Sequence, residues 1–464
     1  MSHAVFRALG SRLSIDDDVG PWRNAGWLVG GGMGKSAITF LSGVLIVRYL
    51  ETEQLGALAF VGSLNAMLAV AISLGLDAIV LRNISRDPDS IGDLLVPVGL
   101  ARFGLATVAF ATLLSFRGSA WLSPVAEYPW LLPLLSLGLF AAPFQLATVF
   151  FQSRLRSKVP QAIALFVAVV HLAAVAYCIH VDAGFFWVCI LLTVATLLGP
   201  VLIAVKAFLE IAPSFHVVRN ASRLLPLIRD AWPQTFASMA LIVQAYSDQL
   251  MLGKMQDLDS AAQYNVCLKV IVVLSIAPTA IISSFSPSLA KLWAEHPVQF
   301  FREVHRISRL LFGICFVLVG LAMIVGPILL IAIYGTRYIA AASLLPYMAV
   351  RIALTAVGTL RNVIHVNANI LRYSLLSVAA GTAANVAMNL VLIPSYGIYG
   401  AVAASFLSFA VTTMLLDFCF GVPRIGMSVQ LSAWLRPWRP LDQERLETAW
   451  QSVADRPSLF GYTA

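Results

Sequence analysis

Apolar residues along this chain run in long blocks separated by short polar stretches. The blocks fall at residues 25–47, 57–81, 94–116, 130–152, 161–180, 185–206, 232–253, 263–287, 309–333, 342–365, 374–394 and 398–420. Each is near the ~20 residues that a helix rising about 1.5 Å per residue needs to cross a ~30 Å hydrocarbon layer. The pattern predicts an all-α membrane protein with about 12 transmembrane helices.

The polar stretches set the organisation. Most connections are short, and the largest soluble pieces are 207–231, 288–308 and 421–464. The first of these falls between the sixth and seventh blocks. The expected division is a cytoplasmic segment 1–24, an N-terminal six-helix bundle 25–206, a cytoplasmic linker 207–231, a C-terminal six-helix bundle 232–420 and a cytoplasmic tail 421–464. The halves carry a faint echo: RYLETEQLGALAF follows the first block and LGKMQDLDSAAQYNV follows the seventh. Two equivalent bundles around a central cavity suit a transporter.

Composition narrows the classes further. Hydrophobic residues make up 59% and charged residues only 12%, with a mean hydropathy of +0.84. So little charge cannot keep the surface of a soluble chain of this length wet, which leaves no room for a soluble catalytic domain. Residues 1–24 are too polar for the apolar region of a secretory signal, so insertion is expected to rely on the first internal helix. The five cysteines (Cys178, Cys189, Cys267, Cys315 and Cys419) are scattered singly and read as buried packing residues.

The net charge of +8 and pI near 9.4 do not imply a nucleic-acid partner, because the basic residues form no continuous patch. They sort by loop instead. One set of connections holds Arg7, Arg12 and Arg23, then Arg82 and Arg86, Arg154, Arg156 and Lys158, and the runs around 206–229 and 291–309. The opposite set holds Arg48, Arg117, Lys254 and Arg337. Cytoplasmic loops carry the excess of Lys and Arg, so both termini are expected in the cytoplasm. In the tail, Trp434 and Trp438 interleave with Arg436 and Arg439, which suits a segment lying on inner-leaflet headgroups.

Some charge remains inside the blocks. Lys35, Lys269 and Arg351 lie too deep for easy snorkelling, and Arg361 and Arg102 lie nearer the inner side. A charge at mid-membrane costs at least about 2.5 kcal/mol on insertion scales, so each needs water or a partner. Together they suggest a water-filled cationic cavity for an anionic group, with Lys35, Lys269, Arg351 and Arg361 as the substrate-binding cations. Arg351 and Arg361 lie about 80° apart around their helix, so both can border one cavity, while Arg361 can alternatively snorkel. For Lys269 a second reading stands beside the first. Asp248 lies as far from the turn joining the seventh and eighth blocks as Lys269 does, so the two can form an ion pair. Asp248 and Asp77 are the candidates for ion pairing or ion coupling, with Asp77 also read as a local structural residue ahead of Arg82. The embedded Asn65, Gln145, Gln152, Gln244, Asn385 and Asn389 read as hydrogen bonds between helices.

The stretch GGGMGKS at 30–36 superficially resembles a phosphate-binding P-loop, but Val29 stands where the first glycine is required, and no strand precedes it. Gly26, Gly30 and Gly34 instead recur every four residues and make a strip for close helix packing. Lys35 lies about 100° around from that strip, on the side of Thr39 and Ser42. His171 stands apart from other metal-type ligands, and no Ser-His-Asp, paired-carboxylate or HExxH arrangement occurs. No catalytic residue, metal or cofactor is expected.

Several segments, in order, resemble one family. NAGWLVGGGMGKSAITFLSGVLIVRYLETEQLGALAFVGSL resembles the opening of bacterial polysaccharide flippases, SLGLDAIVLRNISR their second helix end, YSDQLMLGKMQDLDSAAQYNVCLKV their seventh, and NLVLIPSYGIYGAVAAS their last turn. Glu51 departs from the pattern, since a glycine commonly follows the Tyr-Leu pair there. The similarity covers residues from about 24 to 420 and is to the O-antigen/exopolysaccharide flippase branch of the MOP (multidrug/oligosaccharidyl-lipid/polysaccharide) exporter superfamily. It implies movement of polyprenyl-pyrophosphate-linked oligosaccharide across the bacterial inner membrane, with membrane lipids and other polysaccharide assembly proteins as partners. A multidrug/cation antiporter of the same superfamily should favour embedded carboxylates and aromatics. A polytopic glycan polymerase or ligase should display a long outer loop with catalytic groups, and this chain has none.

Overall fold

The computed structural model describes residues 21–87, 91–211, 224–419, 421–439 and 441–454. The expected N-terminal segment up to residue 20, and the Arg219 and Arg223 part of the linker, lie outside the described residues. Among the described residues the chain is almost wholly helical, with no β-strand. Its helices are α1 Pro21–Tyr49, α2 Thr52–Ser73, α3 Asp77–Arg86, α4 Ile91–Ser115, α5 Leu131–Ser136, α6 Ala141–Gln145, α7 Ala147–Ser153, α8 Lys158–His180 and α9 Phe185–Ile211. There follow α10 Leu224–Met255, α11 Leu258–Glu295, α12 Pro297–Ile324, α13 Gly326–Tyr334, α14 Ile339–Asn367, α15 Leu371–Phe409, α16 Leu416–Phe418, α17 Gly421–Leu435 and α18 Gln443–Ala454.

Ten stretches among the described residues are long and apolar enough to cross a membrane. They differ from the sequence pattern at two places. The block at 232–253 lies in α10, which carries Arg229, Asp230, Gln234, Gln244, Asp248 and Gln249 and is too polar to count. The last two blocks merge into one run, Arg372–Phe418. Within that run Gly397 has φ 56° and ψ −131°, so two helices meet there across a break.

The chain forms two compact units. Unit 1 comprises Met1–Leu50 and Asn65–Thr235, and unit 2 comprises Glu51–Leu64 and Phe236–Ala464. The placement of Glu51–Leu64 departs from the boundary read from sequence, and its contacts explain why. Gly56 lies so close to the Leu258 carbonyl that any side chain would collide with it. The Gln249 amide donates to the Ala59 carbonyl at 2.6 Å.

In unit 1, the end of α2 is broken by Leu74 and Gly75, both left-handed at φ 54° and 58°. The Thr235 hydroxyl donates to the Leu74 carbonyl at 2.5 Å, and a Cβ on Gly75 would sit 2.9 Å from that hydroxyl. Only glycine meets both demands at no steric cost. Around this break Leu76, Val80, Ile84, Leu94, Val98 and Phe150 form a buried apolar core.

In unit 2, α14 is central and packs against α11, α12 and α13. The Asp257 side chain caps α11 by accepting from the Ser260 N–H at 2.6 Å. α17 does not lie free on the surface: Val422, Ile425 and Val429 join Phe300, Phe301, Val304 and Leu360 in one core. Further along the tail, Trp438 is exposed. Four of the cysteines are buried as expected, while Cys419 is exposed at the end of the last apolar run.

Candidate functional site

Unit 2 contains a buried polar cluster built on one carboxylate. Asp248 projects from α10 and is fully buried. Its Oδ1 accepts hydrogen bonds from the amides of Asn385 at 3.0 Å and Asn389 at 2.7 Å. These two residues lie one helical turn apart on α15, so their side chains share a face. Its Oδ2 accepts from the Tyr264 hydroxyl of α11 at 2.6 Å and from the Ser405 hydroxyl. Asn389 and Ser405 would be ~24 Å apart along a straight helix, so the break at Gly397 folds the chain back to bring both to one carboxylate. Behind this first layer, Ser247 donates to the Asn385 carbonyl oxygen at 2.6 Å, which fixes the amide orientation.

Arg351 of α14 completes the cluster. Its Nη1 lies 3.8 Å from Asp248 Oδ2 and donates to the Tyr264 hydroxyl at 3.2 Å. The side chain retains 25% of its exposure, whereas that of Asp248 retains none. Arg351 is therefore the charged member of this cluster that remains partly exposed, while the carboxylate is enclosed.

The other sequence-selected residues fall in different settings. Lys269, one turn and a half beyond Tyr264 on α11, is half-buried and makes no ion pair among the described residues. Asp248 is thus engaged by Arg351, Tyr264 and the two asparagines, and not by Lys269. The consecutive helix α11 does supply a partner, but it is Tyr264, and the remaining partners come from α14 and α15.

Arg361 was expected to border the cavity or to snorkel, and it does neither. Its Nε and Nη2 grip both oxygens of Asp417 at 2.7 Å, and the side chain is only 6% exposed. Nη2 also donates to Ser377 at 2.6 Å, and Tyr373 donates to the same carboxylate at 2.6 Å. With Nε and Nη2 committed and the side chain 6% exposed, Arg361 offers little surface to a ligand. The site lies beside a π-helical turn, Ala410–Leu415, whose Thr412 carbonyl accepts from Arg361 at 3.3 Å.

In unit 1, Arg102 is buried and holds the broken end of α2. It donates to the Ser73 carbonyl at 2.7 Å, to Asp77 at 2.9 Å and to the Ala142 carbonyl at 3.3 Å. Asp77 is therefore bound to Arg102, not to Arg82, and serves the fold of this end of the unit. Lys35 and Thr39 are exposed on α1, whereas Ser42, the third member of the expected stripe, is buried and donates to the Ile38 carbonyl at 3.1 Å; Lys35 has no ion-pair partner among the described residues. The close helix packing of α1 falls one residue aside from the expected strip. A Cβ on Gly31 would lie 2.8 Å from Gln161 of α8, and one on Gly34 would touch Leu165 at 3.5 Å. At Gly30 nothing lies within 4 Å, and Gly26 lies in the first turns of the same helix. Among the described residues no cluster of three potential metal ligands occurs.

The residues sequence reasoning underused are Tyr264, Ser405 and the Asn385–Asn389 pair. Two asparagines four residues apart in an apolar helix were the legible signal, because one buried amide needs a partner and two on one face suggest a shared one.

Comparisons with known proteins place the chain in a family. The structure resembles that of lipid II flippase MurJ in an inward closed conformation, with a TM-score of 0.69 and 10% identity over 91% of this chain and 95% of that one. It resembles the inward-facing conformation of a multidrug resistance MATE family transporter of the MOP superfamily, with a TM-score of 0.62 and 14% identity over 90% and 96%. It also resembles a MOP superfamily transporter from Pyrococcus furiosus Vc1, whose binding pocket is described as reversed in polarity, with a TM-score of 0.56 and 14% identity over 93% and 97%. No curated protein sequence matches the chain significantly. The profile described as "Polysaccharide biosynthesis protein" matches residues 21–293. This multi-pass, all-helical chain has the fold of the MOP superfamily and belongs to the polysaccharide biosynthesis protein family.

Proposed function

We propose that this protein is a flippase that moves polyprenyl-pyrophosphate-linked oligosaccharide units from the cytoplasmic to the periplasmic leaflet of the bacterial inner membrane, by alternating access, during assembly of a surface polysaccharide. The observation that carries this reading is the order of charge in unit 2: Arg351 is accessible and Asp248 is enclosed. A pyrophosphate crossing hydrocarbon needs cationic donors, and a guanidinium offers several in a fork that matches phosphate oxygens. Lys269, without an ion-pair partner among the described residues, is proposed as a further cation for this anion, and Lys35 of unit 1, likewise without one, as a substrate-binding cation. Arg361 is left out of that set because Asp417 already neutralises it.

The same order of charge weighs against export of cationic drugs. A cation needs an accessible carboxylate, and Asp248 presents none of its surface. The Lys/Arg distribution supports an orientation with both termini in the cytoplasm. The deciding experiment is deletion of the protein followed by analysis of its lipid-linked intermediates. Complete repeat units stranded on the cytoplasmic leaflet are the expected result. Single units reaching the outer face would instead indicate a lost polymerase and would overturn the assignment.

A further inference from the structure

Both oxygens of Asp248 are satisfied without Arg351. Asn385 and Asn389 donate to Oδ1, Tyr264 and Ser405 donate to Oδ2, and all four donors are neutral. Arg351 adds only a 3.8 Å charge contact on Oδ2. That is longer than the roughly 2.7–2.9 Å of a charge-assisted N–H···O bond. Its one hydrogen bond among the described residues goes to the Tyr264 hydroxyl, at 3.2 Å. Most of the N–H donors of this guanidinium are therefore uncommitted.

Resting on the reading that Arg351 receives a phosphate, we infer that Asp248 is a positioning residue that holds Arg351 as a stand-in for the substrate anion and competes with the substrate for it. When a pyrophosphate arrives, Arg351 transfers to it. Asp248 does not then become an unsatisfied buried group, because its four neutral donors remain. A single loose carboxylate contact yields readily to a ligand that presents two phosphate groups to the fork.

The handover also explains how binding is transmitted. Asp248 belongs to α10, Tyr264 to α11, and Asn385, Asn389 and Ser405 to the two halves of α15. Arg351 is the member of this network contributed by α14. Withdrawal of Arg351 loosens α14 from α10 at this level and leaves α10, α11 and α15 tied together. A ligand shifts a conformational equilibrium only by contacts that differ between the states, and this exchange of partners supplies such a difference.

The test uses full-length protein in lipid nanodiscs and farnesyl pyrophosphate as the probe, with binding and polysaccharide export measured side by side. Asp248→Asn removes the competing charge and is expected to bind the probe at least about tenfold tighter while exporting less. Ser405→Ala removes one neutral donor, makes Oδ2 more dependent on Arg351, and is expected to bind about threefold weaker. General damage to the fold does not produce opposite signs. Equal or weaker binding by a folded Asp248→Asn variant overturns the competition. If that variant does not fold, Ser405→Ala decides alone, and an unchanged affinity overturns it. Arg351→Ala tests the reading beneath: undiminished probe binding there overturns the anion site itself, whatever the other two variants show.

Discussion

Two arginines on α14, Arg351 and Arg361, meet opposite fates in the same membrane environment. Arg361 is clamped by both oxygens of Asp417 at 2.7 Å and is 6% exposed. Arg351 stands 3.8 Å from one oxygen of Asp248 and is 25% exposed. The carboxylates differ in a complementary way. Asp417 receives both of its arginine hydrogen bonds in addition to the one from Tyr373, so it depends on its cation. Asp248 is surrounded by neutral donors and does not. A buried charge in a membrane is therefore not in itself a sign of function. What separates the clamped arginine from the one proposed to bind substrate is how many of its donors remain available.

The comparison can be broken most forcefully at the clamped pair. Arg361→Met leaves Asp417 buried without its cation, and removing one partner of a buried pair costs about 3–5 kcal/mol. The expected outcome is a large fall in membrane abundance and in the detergent melting temperature. Adding Asp417→Leu should recover much of that loss, because the uncompensated charge is then gone. Equal instability of single and double variants would mean that the pair is not what holds this end of α14.

Arg351→Ala should behave in the reverse manner. Abundance and melting temperature stay near those of the unsubstituted protein, since Asp248 keeps four donors, while export falls. Hydrogen bonds to charged groups are worth about 1.5–3 kcal/mol each, so a loss of about tenfold or more is expected. Lys35→Ala should reduce export less, because a lysine acts on phosphate as a point charge and not as a fork. The smallest effect is expected at Asp77→Asn. That side chain is 54% exposed, so solvent screens its contact with the buried Arg102, and the loss is expected to stay within about 1 kcal/mol. The backbone carbonyls of Ser73 and Ala142 still hold Arg102 in that variant, so a melting shift of more than a few degrees would show that the carboxylate matters more than its exposure implies.

The helical membrane class was legible because most of the apolar blocks match the thickness of the membrane. The block at 232–253 was legible as apolar, yet α10 carries enough polar side chains to fall short of a membrane-crossing stretch, and one of them, Asp248, is the centre of the candidate site. Partner assignments were harder. The hydrogen bonds to Asp248 from Asn385 and Ser405 join residues 137 and 157 positions apart, a separation that no local spacing encodes. The Arg361–Asp417 pair was within reach, since both residues sit near the inner ends of their blocks. The shift of the α1 packing contact from Gly30 to Gly31 depends on which face α8 approaches, and a strip of glycines permits more than one.

The measurement that bears most directly on the central claim is the leaflet distribution of lipid-linked repeat units in cells whose only copy of the protein carries Arg351→Ala. Complete units trapped on the cytoplasmic leaflet, with the variant abundant in the membrane, are the predicted result. Normal delivery to the periplasmic leaflet by an equally abundant variant would contradict it.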